Sequence, residues 1–339
     1  LVGSEMCIRD SYETFCRNNA YWLDDYALFM ALKEAHDGKP WQEWEPELRN
    51  RDKNVLDLVL LKCMKKIQFW KIMQYLFFEQ WKALRTYANE HGVKIIGDLP
   101  IYVSLDSVDV WAHPELFQLD GDKVPREVAG CPPDGFSADG QLWGNPLFDW
   151  DYMEKDGYSW WVARIQYLCN VYDMLRIDHF RGFDEYYAIP YGDETAENGE
   201  WMPGPGMDLF LKMKETLGDL PIIAEDLGFL TPSVLKLLED TGFPGMKVLE
   251  FAFNAGEESS YLPYLYQKNC VVYTGTHDND TVVGWYEALS PEDRKFVNDY
   301  MGISDLDEKN PLSTKEIAWN VIRLALASTA DLAVIPMQD

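Results

Sequence analysis

Six short apolar, β-branched runs recur between amphipathic stretches, and this alternation constrains the fold more than any other feature of the chain. They are "VKIIGDLPIYV" (93–103), "YDMLRIDHF" (172–180), "LPIIAEDLG" (220–228), "MKVLEFAF" (246–253), "CVVYTGTHDND" (270–280) and "LAVIPMQD" (332–339). Apolar runs without alternation read as strands buried on both faces, and strands that take turns with helices specify a parallel sheet. Most of the runs finish in acidic or polar residues at their C-terminal end, the face where a (β/α)8 barrel gathers its reactive groups. A doubly wound sheet would carry a Gly-rich phosphate turn, which is not found in the sequence. The expected fold is therefore α/β, a (β/α)8 TIM barrel.

Eight strands close such a barrel and six are counted, so it is expected to be incomplete at both ends, with two strands missing ahead of residue 12. Residues 1–11, "LVGSEMCIRDS", show no helical or strand period and are expected to be an artefact or a disordered tail. Residues 12–339 then form a partial catalytic barrel. It contains a helical subdomain over 12–92 and, after the first counted strand, a strand-poor insertion or lid region over 104–170, rich in Pro, Gly and Trp. In the helical part Trp22, Tyr26, Phe29 and Met30 share a face, the aromatic stripe at 69–81 is expected to pack into the core, and Gly92 reads as a helix stop. Later starts are marked by Thr231 before Pro232, Ser290 before Pro291, and a Ser313/Glu316 capping box. An opened barrel leaves strand edges and apolar faces uncovered, so aggregation is expected of this chain on its own.

Composition removes several functions. With 57 acidic against 30 basic residues the formal charge is −27, which repels nucleic acid and anionic lipid at long range. No apolar run is long enough to span a membrane. The six cysteines (7, 16, 63, 131, 169 and 270) form no C-x-x-C pair and suit free thiols in the cytoplasm better than disulfides or zinc.

Three strand ends each present a carboxylate: Asp178 in "RIDHFRG", Glu225 in "AEDLG" and Asp278 in "THDND". Their spacings of 47 and 53 residues leave room for one β/α unit or two, so all three can converge on one barrel mouth. Glycosidic bond cleavage uses such a set, with one carboxylate attacking the anomeric carbon and a second protonating the leaving oxygen. Arg176, two residues before Asp178 and on the same side of the strand, favours an ionised nucleophile. Glu225 suits the acid, since a carboxyl among other carboxylates and under a water-excluding lid has its pKa raised. Divalent-metal chemistry is the alternative, with Asp178, His179, Glu225, His277 and Asp278 as ligands. His179 by itself reads as a histidine satisfied by its neighbours, and His277 as a donor to sugar hydroxyls. Asp98 is read either as a turn cap or as a site residue. Trp143, between Gly140 and Gly144, sits in a polar loop where its face can stack on a sugar ring, and Asp134 and Gln141 offer hydrogen bonds to the ring's hydroxyls.

The segments "IGDLPIYV", "DSVDVWAHPELFQLD", "VAGCPPDGFSADGQLWGNPLFDW", "LRIDHFRGF", "IIAEDLG" and "YTGTHDNDT" together resemble the 4-α-glucanotransferases, also called amylomaltases or disproportionating enzymes, of the α-amylase clan. The resemblance runs from about residue 12 to 339. It implies transfer of a 1,4-α-glucan segment to the 4-hydroxyl of another glucan or glucose, with retention and without a metal or other cofactor. Maltooligosaccharides are the implied partners. By motif, Asp178 is the implied nucleophile, Glu225 the acid/base and Asp278 the transition-state stabiliser, while Arg176 and His277 touch the nucleophile and the sugar. The stretch 134–145 matches the loop that family members fold over the cleft. A plain α-glucan hydrolase and an inactive glucan-binding fragment are the competing readings.

Overall fold

The computed structural model describes residues 2–133, 137–228, 230–256, 259–303 and 312–339. They divide into two compact units, one of Leu1–Leu175 with Gly182–Leu220 and one of Arg176–Arg181 with Pro221–Asp339. The division falls inside one strand.

The first unit begins with helices α1 (Val2–Asn18), α2 (Ala20–Ala35), α3 (Pro46–Arg49), α4 (Lys53–Lys62) and α5 (Met64–Glu90). Helix α1 begins within the stretch whose sequence shows no helical or strand period. Helix α2 buries Leu23, Ala27, Leu28, Phe29, Ala31 and Leu32, a face centred one position away from the expected one. Gly92 follows α5 with φ +76°, a left-handed stop that a side chain would strain. The aromatic stripe of α5 departs from expectation. Ile67 and Tyr75 are buried, but Phe69, Ile72, Met73, Leu76 and Phe77 are exposed, since among the described residues no element covers that face.

Strand β1 (Ile96–Leu99) follows, then α6 (Val108–Ala112), β2 (Glu127–Cys131), β3 (Gln141–Pro146), α7 (Trp150–Lys155), α8 (Ser159–Val171), β4 (Met174–Ile177), β5 (Glu185–Pro190), β6 (Glu200–Pro203) and α9 (Gly206–Leu217). The insertion carries two short strands. Its β2 and β3 join β5 and β6 in a sheet ordered β3-β2-β5-β6, antiparallel throughout, with Val128 opposite Ile189 and Tyr187 opposite Trp201. Short strands with Gly and Pro gave little period to read, and two of the four lie beyond residue 170. Fully buried aromatics fill this unit: Trp161 stands 5.6 Å from Phe148 and 5.2 Å from Phe183, ring to ring. At the start of β4, Asp173 N–H donates to Ile95 O just before β1.

The second unit holds the end of β4, β7 (Ile222–Ala224), α10 (Pro232–Thr241), β8 (Gly245–Val248), β9 (Cys270–Tyr273), α11 (Val282–Ala288), α12 (Pro291–Tyr300), α13 (Thr314–Leu326) and β10 (Leu332–Val334). All six counted runs thus contain strands, each shorter than its run, and β8 starts one residue ahead of its run at Gly245. Within this unit each strand sits beside its predecessor. Glu225 N–H donates to Ile177 O, Ala224 N–H to Pro244 O, and the pairs β8/β9 and β9/β10 are parallel with Gly245 opposite Cys270 and Leu332 opposite Val271. The helix starts stand where the caps place them: Thr231 accepts from Val234 N–H, Ser290 from Asp293 N–H, and Ser313 and Glu316 form a reciprocal box. Val272 of β9 packs with Val282, Tyr286, Val297, Ile317 and Val321 of α11–α13. Each such side chain contributes about 1.5–3 kcal/mol by leaving water. This layering leaves the strand ends to carry polar groups. Among the described residues no helix is long and apolar enough to cross a membrane.

Candidate active site

Strand β4 ends in a buried cation and a half-open anion. Arg176 and Asp178, two residues apart, face the same way, and Nη2 of the arginine lies 2.9 Å from Oδ1 of the aspartate. The arginine side chain is 9% exposed and the aspartate side chain 45%, so the cation is fixed while the carboxylate stays open to a ligand. Arg176 Nε also reaches Met246 Sδ of β8 at 3.3 Å.

The next residue, His179, has φ +53°, a left-handed conformation that costs a non-glycine residue of order 1 kcal/mol and persists only where surroundings enforce it. That turn aims its N–H at Glu225, which accepts at Oε2 over 2.6 Å, while Leu227 N–H donates to Oε1 over 2.8 Å. Two main-chain donors would ordinarily lower a carboxyl pKa. Burial outweighs them and, with the charge of Asp178, pushes Glu225 up to about 7 against the pull of Leu227 N–H, His179 N–H and Arg176. A carboxyl that gains and loses a proton near neutrality thus stands beside one that is paired with a guanidinium.

Neighbouring Asp226 is buried and braces this strand end, since its Oδ1 accepts from Met246 N–H at 2.5 Å. Gly245 makes the approach possible: a Cβ there would lie 2.6 Å from Asp226 Oδ2. Tyr261 is pushed up to about 12 by burial and by the charge of Asp226, and Lys247 Nζ sits 5.3 Å from its ring centre.

The loop after β9 supplies His277 and Asp278. Nε2 of the histidine is 3.5 Å from Oδ2 of the aspartate, and the two side chains are 68% and 74% exposed. His277 and Arg176 line one cavity of about 480 Å³ together with Tyr273 and Thr276. Glu250, after β8, is pushed up to about 8 by burial first and then by the charges of Asp339 and Asp280.

The second unit therefore brings together Arg176, Asp178 and Glu225, and sets His277 on the same cavity as Arg176, with Asp278 beside that histidine. Asp98, Gln141 and Trp143 lie in the first unit. Asp98 is on β1 with an exposed side chain. Gln141 and Trp143 stand on β3 rather than in a loop, and Trp143 Nε1 donates to Gln141 Oε1 at 3.0 Å. The indole is 37% exposed, with its ring 6.2 Å from that of Tyr102. Asp134 lies outside the described residues. His179 is held well below the usual histidine range, at about 3, by burial and by Arg181, so its ring is neutral. Among the described residues no group of three or more His, Cys, Asp or Glu is placed to hold a metal ion. Cys16, Cys63, Cys169 and Cys270 are free thiols.

Asp226, Tyr261, Glu250 and Asp339 escaped the sequence reading. The rule that selected Glu225, an acid at the end of an apolar run, also selects Glu250 and Asp339; nothing in the sequence singles out Tyr261.

Residues 4–339 match the model of a protein family described as 4-alpha-glucanotransferase. The chain is 46% identical over 332 residues to the 4-alpha-glucanotransferase of Clostridium butyricum, covering 97% of this chain and 66% of that protein. Against the enzyme of the same name from Aquifex aeolicus it is 48% identical over 327 residues, covering 96% and 66%. In structure it resembles the amylomaltase from Streptococcus agalactiae in complex with acarbose, with a TM-score of 0.91 and 43% identity over 96% of this chain and 65% of that one. The chain spans about two thirds of the length of the curated relatives it matches.

Proposed function

Since the chain belongs to the 4-alpha-glucanotransferase family, we propose that the protein moves 1,4-α-glucan segments from one glucan to the 4-hydroxyl of another glucan or of glucose. The observation that carries this reading is the pair at the ends of β4 and β7: Asp178 in contact with Arg176, and Glu225 pushed up to about 7 beside it. One acid is thereby kept as an anion donor of electrons and the other as a proton carrier, the division of labour that a retaining glycosidic reaction requires.

The reaction runs as a double displacement. Glu225 gives its proton to the glycosidic oxygen while Asp178 Oδ attacks the anomeric carbon, and the shortened glucan leaves with the proton. The anomeric carbon is then covalently bound to Asp178. A sugar hydroxyl loses its proton to Glu225 and displaces Asp178, so the configuration is retained and both carboxyls return to their starting states. Asp278 stabilises the oxocarbenium-like sugar, and Arg176 and His277 contact nucleophile and sugar. Gln141 and Trp143 of β3 are assigned to hold the glucan and keep water out, and Asp134 and Asp98 to make polar contacts with its hydroxyls. No cofactor takes part in this scheme. The acarbose in the Streptococcus agalactiae complex supports maltooligosaccharides as partners. The six strands are read as six consecutive members of a (β/α)8 barrel, and the free thiols suit the cytoplasm.

Product analysis by chromatography tests the reading. Incubation with maltotriose should give a ladder of longer and shorter glucans; a rise in reducing ends without longer products would mean hydrolysis instead.

A further inference from the structure

Asp339 grips the chain on both sides of the loop that carries His277 and Asp278. Its Oδ2 accepts from Thr274 Oγ1 at 2.6 Å, and its Oδ1 accepts from Val282 N–H at 2.9 Å. Thr274 is fully buried at the end of β9, and Val282 opens α11. A single carboxylate therefore fixes the two points between which residues 275–281 must run.

The loop between those points is stitched to itself. Thr276 donates to Asn279 Oδ1 from both its N–H, at 2.9 Å, and its hydroxyl, at 2.8 Å, and Asp278 N–H donates back to Thr276 Oγ1 at 3.3 Å. Such a loop moves as one piece. The side chains of His277 and Asp278 stand largely in solvent, so their positions follow from the backbone beneath them, and that backbone is set at Thr274 and Val282. Asp339, His277 and Arg176 line the same cavity.

We propose that Asp339 is a positioning residue for glucan transfer: it locks the ends of the 275–281 loop so that His277 and Asp278 meet the sugar in one fixed place. This rests on the transfer reading above. The nearest competing role is purely structural, a cap for the short helix α11, and the two differ in what they predict. A cap adds stability and leaves turnover alone. A positioning residue sets how well the transition state is held while ground-state binding changes little.

Asp339→Ala removes both acceptors. Asp339→Asn keeps both contacts, because its oxygen still accepts from Val282 N–H and its amide donates to Thr274 Oγ1. With the whole chain and maltotriose, Asp339→Ala should lower kcat roughly 10- to 100-fold while KM stays within about twofold, and Asp339→Asn should restore most of the loss. Amide exchange, read without turnover, should speed up at Val282 and across 276–279 in Asp339→Ala and stay slow in Asp339→Asn. An unchanged kcat in Asp339→Ala, or exchange at Val282 no faster than in the parent, overturns the proposal. If the parent makes no longer glucans the transfer reading fails, and the exchange measurement alone still decides whether Asp339 holds the loop.

Discussion

Arg176 and Asp178 form an ion pair in which the cation is locked inside and the anion looks out. The guanidinium is fixed by Met246 Sδ as well as by the carboxylate, so the negative charge is held at a set point on the strand end. Asp178→Asn should reduce transfer by about 10⁴-fold or more, the scale of deleting a nucleophile, while far-UV circular dichroism stays native. Residual transfer within tenfold of the parent would remove the central assignment.

Glu225 is pushed up to about 7, and if it acts first as an acid, transfer should fall as pH rises above about 7, steepening towards tenfold per unit. Replacing Asp178 by Asn takes away a charge that raises this pKa, and the Glu225 carboxyl followed by carbon-13 NMR should titrate lower in that variant. Its effect on stability has the opposite sense to that of an ordinary ion-paired carboxylate. Because the folded pKa lies above the unfolded value of 4.5, the folded state binds the extra proton between them. This contribution is greatest below pH 4.5 and is lost as pH rises through about 7. Urea midpoints across pH 4 to 8 should show Glu225→Gln flattening that slope.

Trp143 presents a partly exposed face on β3, with its indole nitrogen tied to Gln141. If that face holds glucan and excludes water, Trp143→Ala should raise the ratio of hydrolysis to transfer severalfold. Glucose release against ladder formation measures it, and a constant ratio would free Trp143 of this duty.

Gly130 lies where β2 and β3 meet. A Cβ there would fall 2.1 Å from Gln141 O, a main-chain atom that has nowhere to go. Gly130→Ala should cost about 1–3 kcal/mol, seen as a lowered midpoint in thermal unfolding, and should disturb Gln141 and Trp143 before anything in the second unit.

The strand ends were legible because burial on both faces erases alternation and leaves punctuation: an apolar run followed by acid. That pattern located Asp178, Glu225 and Asp278. The small antiparallel sheet escaped because Pro and Gly interrupt "VAGCPPDGFSADGQLWGNP", and because its partner strands come after β4. The exposed side of α5 was misread as core because its 3.6 period says only that a stripe is apolar, never what covers it. The raised pKa of Glu225 was expected from neighbouring carboxylates and from exclusion of water; both act, burial the more strongly, and the depth of that burial leaves no mark in a sequence. Glu250 and Asp339 fit the same strand-end rule and were passed over beside the richer "THDND" motif.

The two N–H groups that cradle Glu225 belong to His179 and Leu227 as backbone, whatever side chains those positions bear. Genetic drift can exchange either side chain without deleting a donor, and only an imino acid could erase one. The left-handed bend at His179 in turn makes an imino acid the least tolerable replacement there, since its ring forces the opposite sign of φ. The two main-chain contacts of Glu225 thus outlast side-chain replacements that leave the backbone in place.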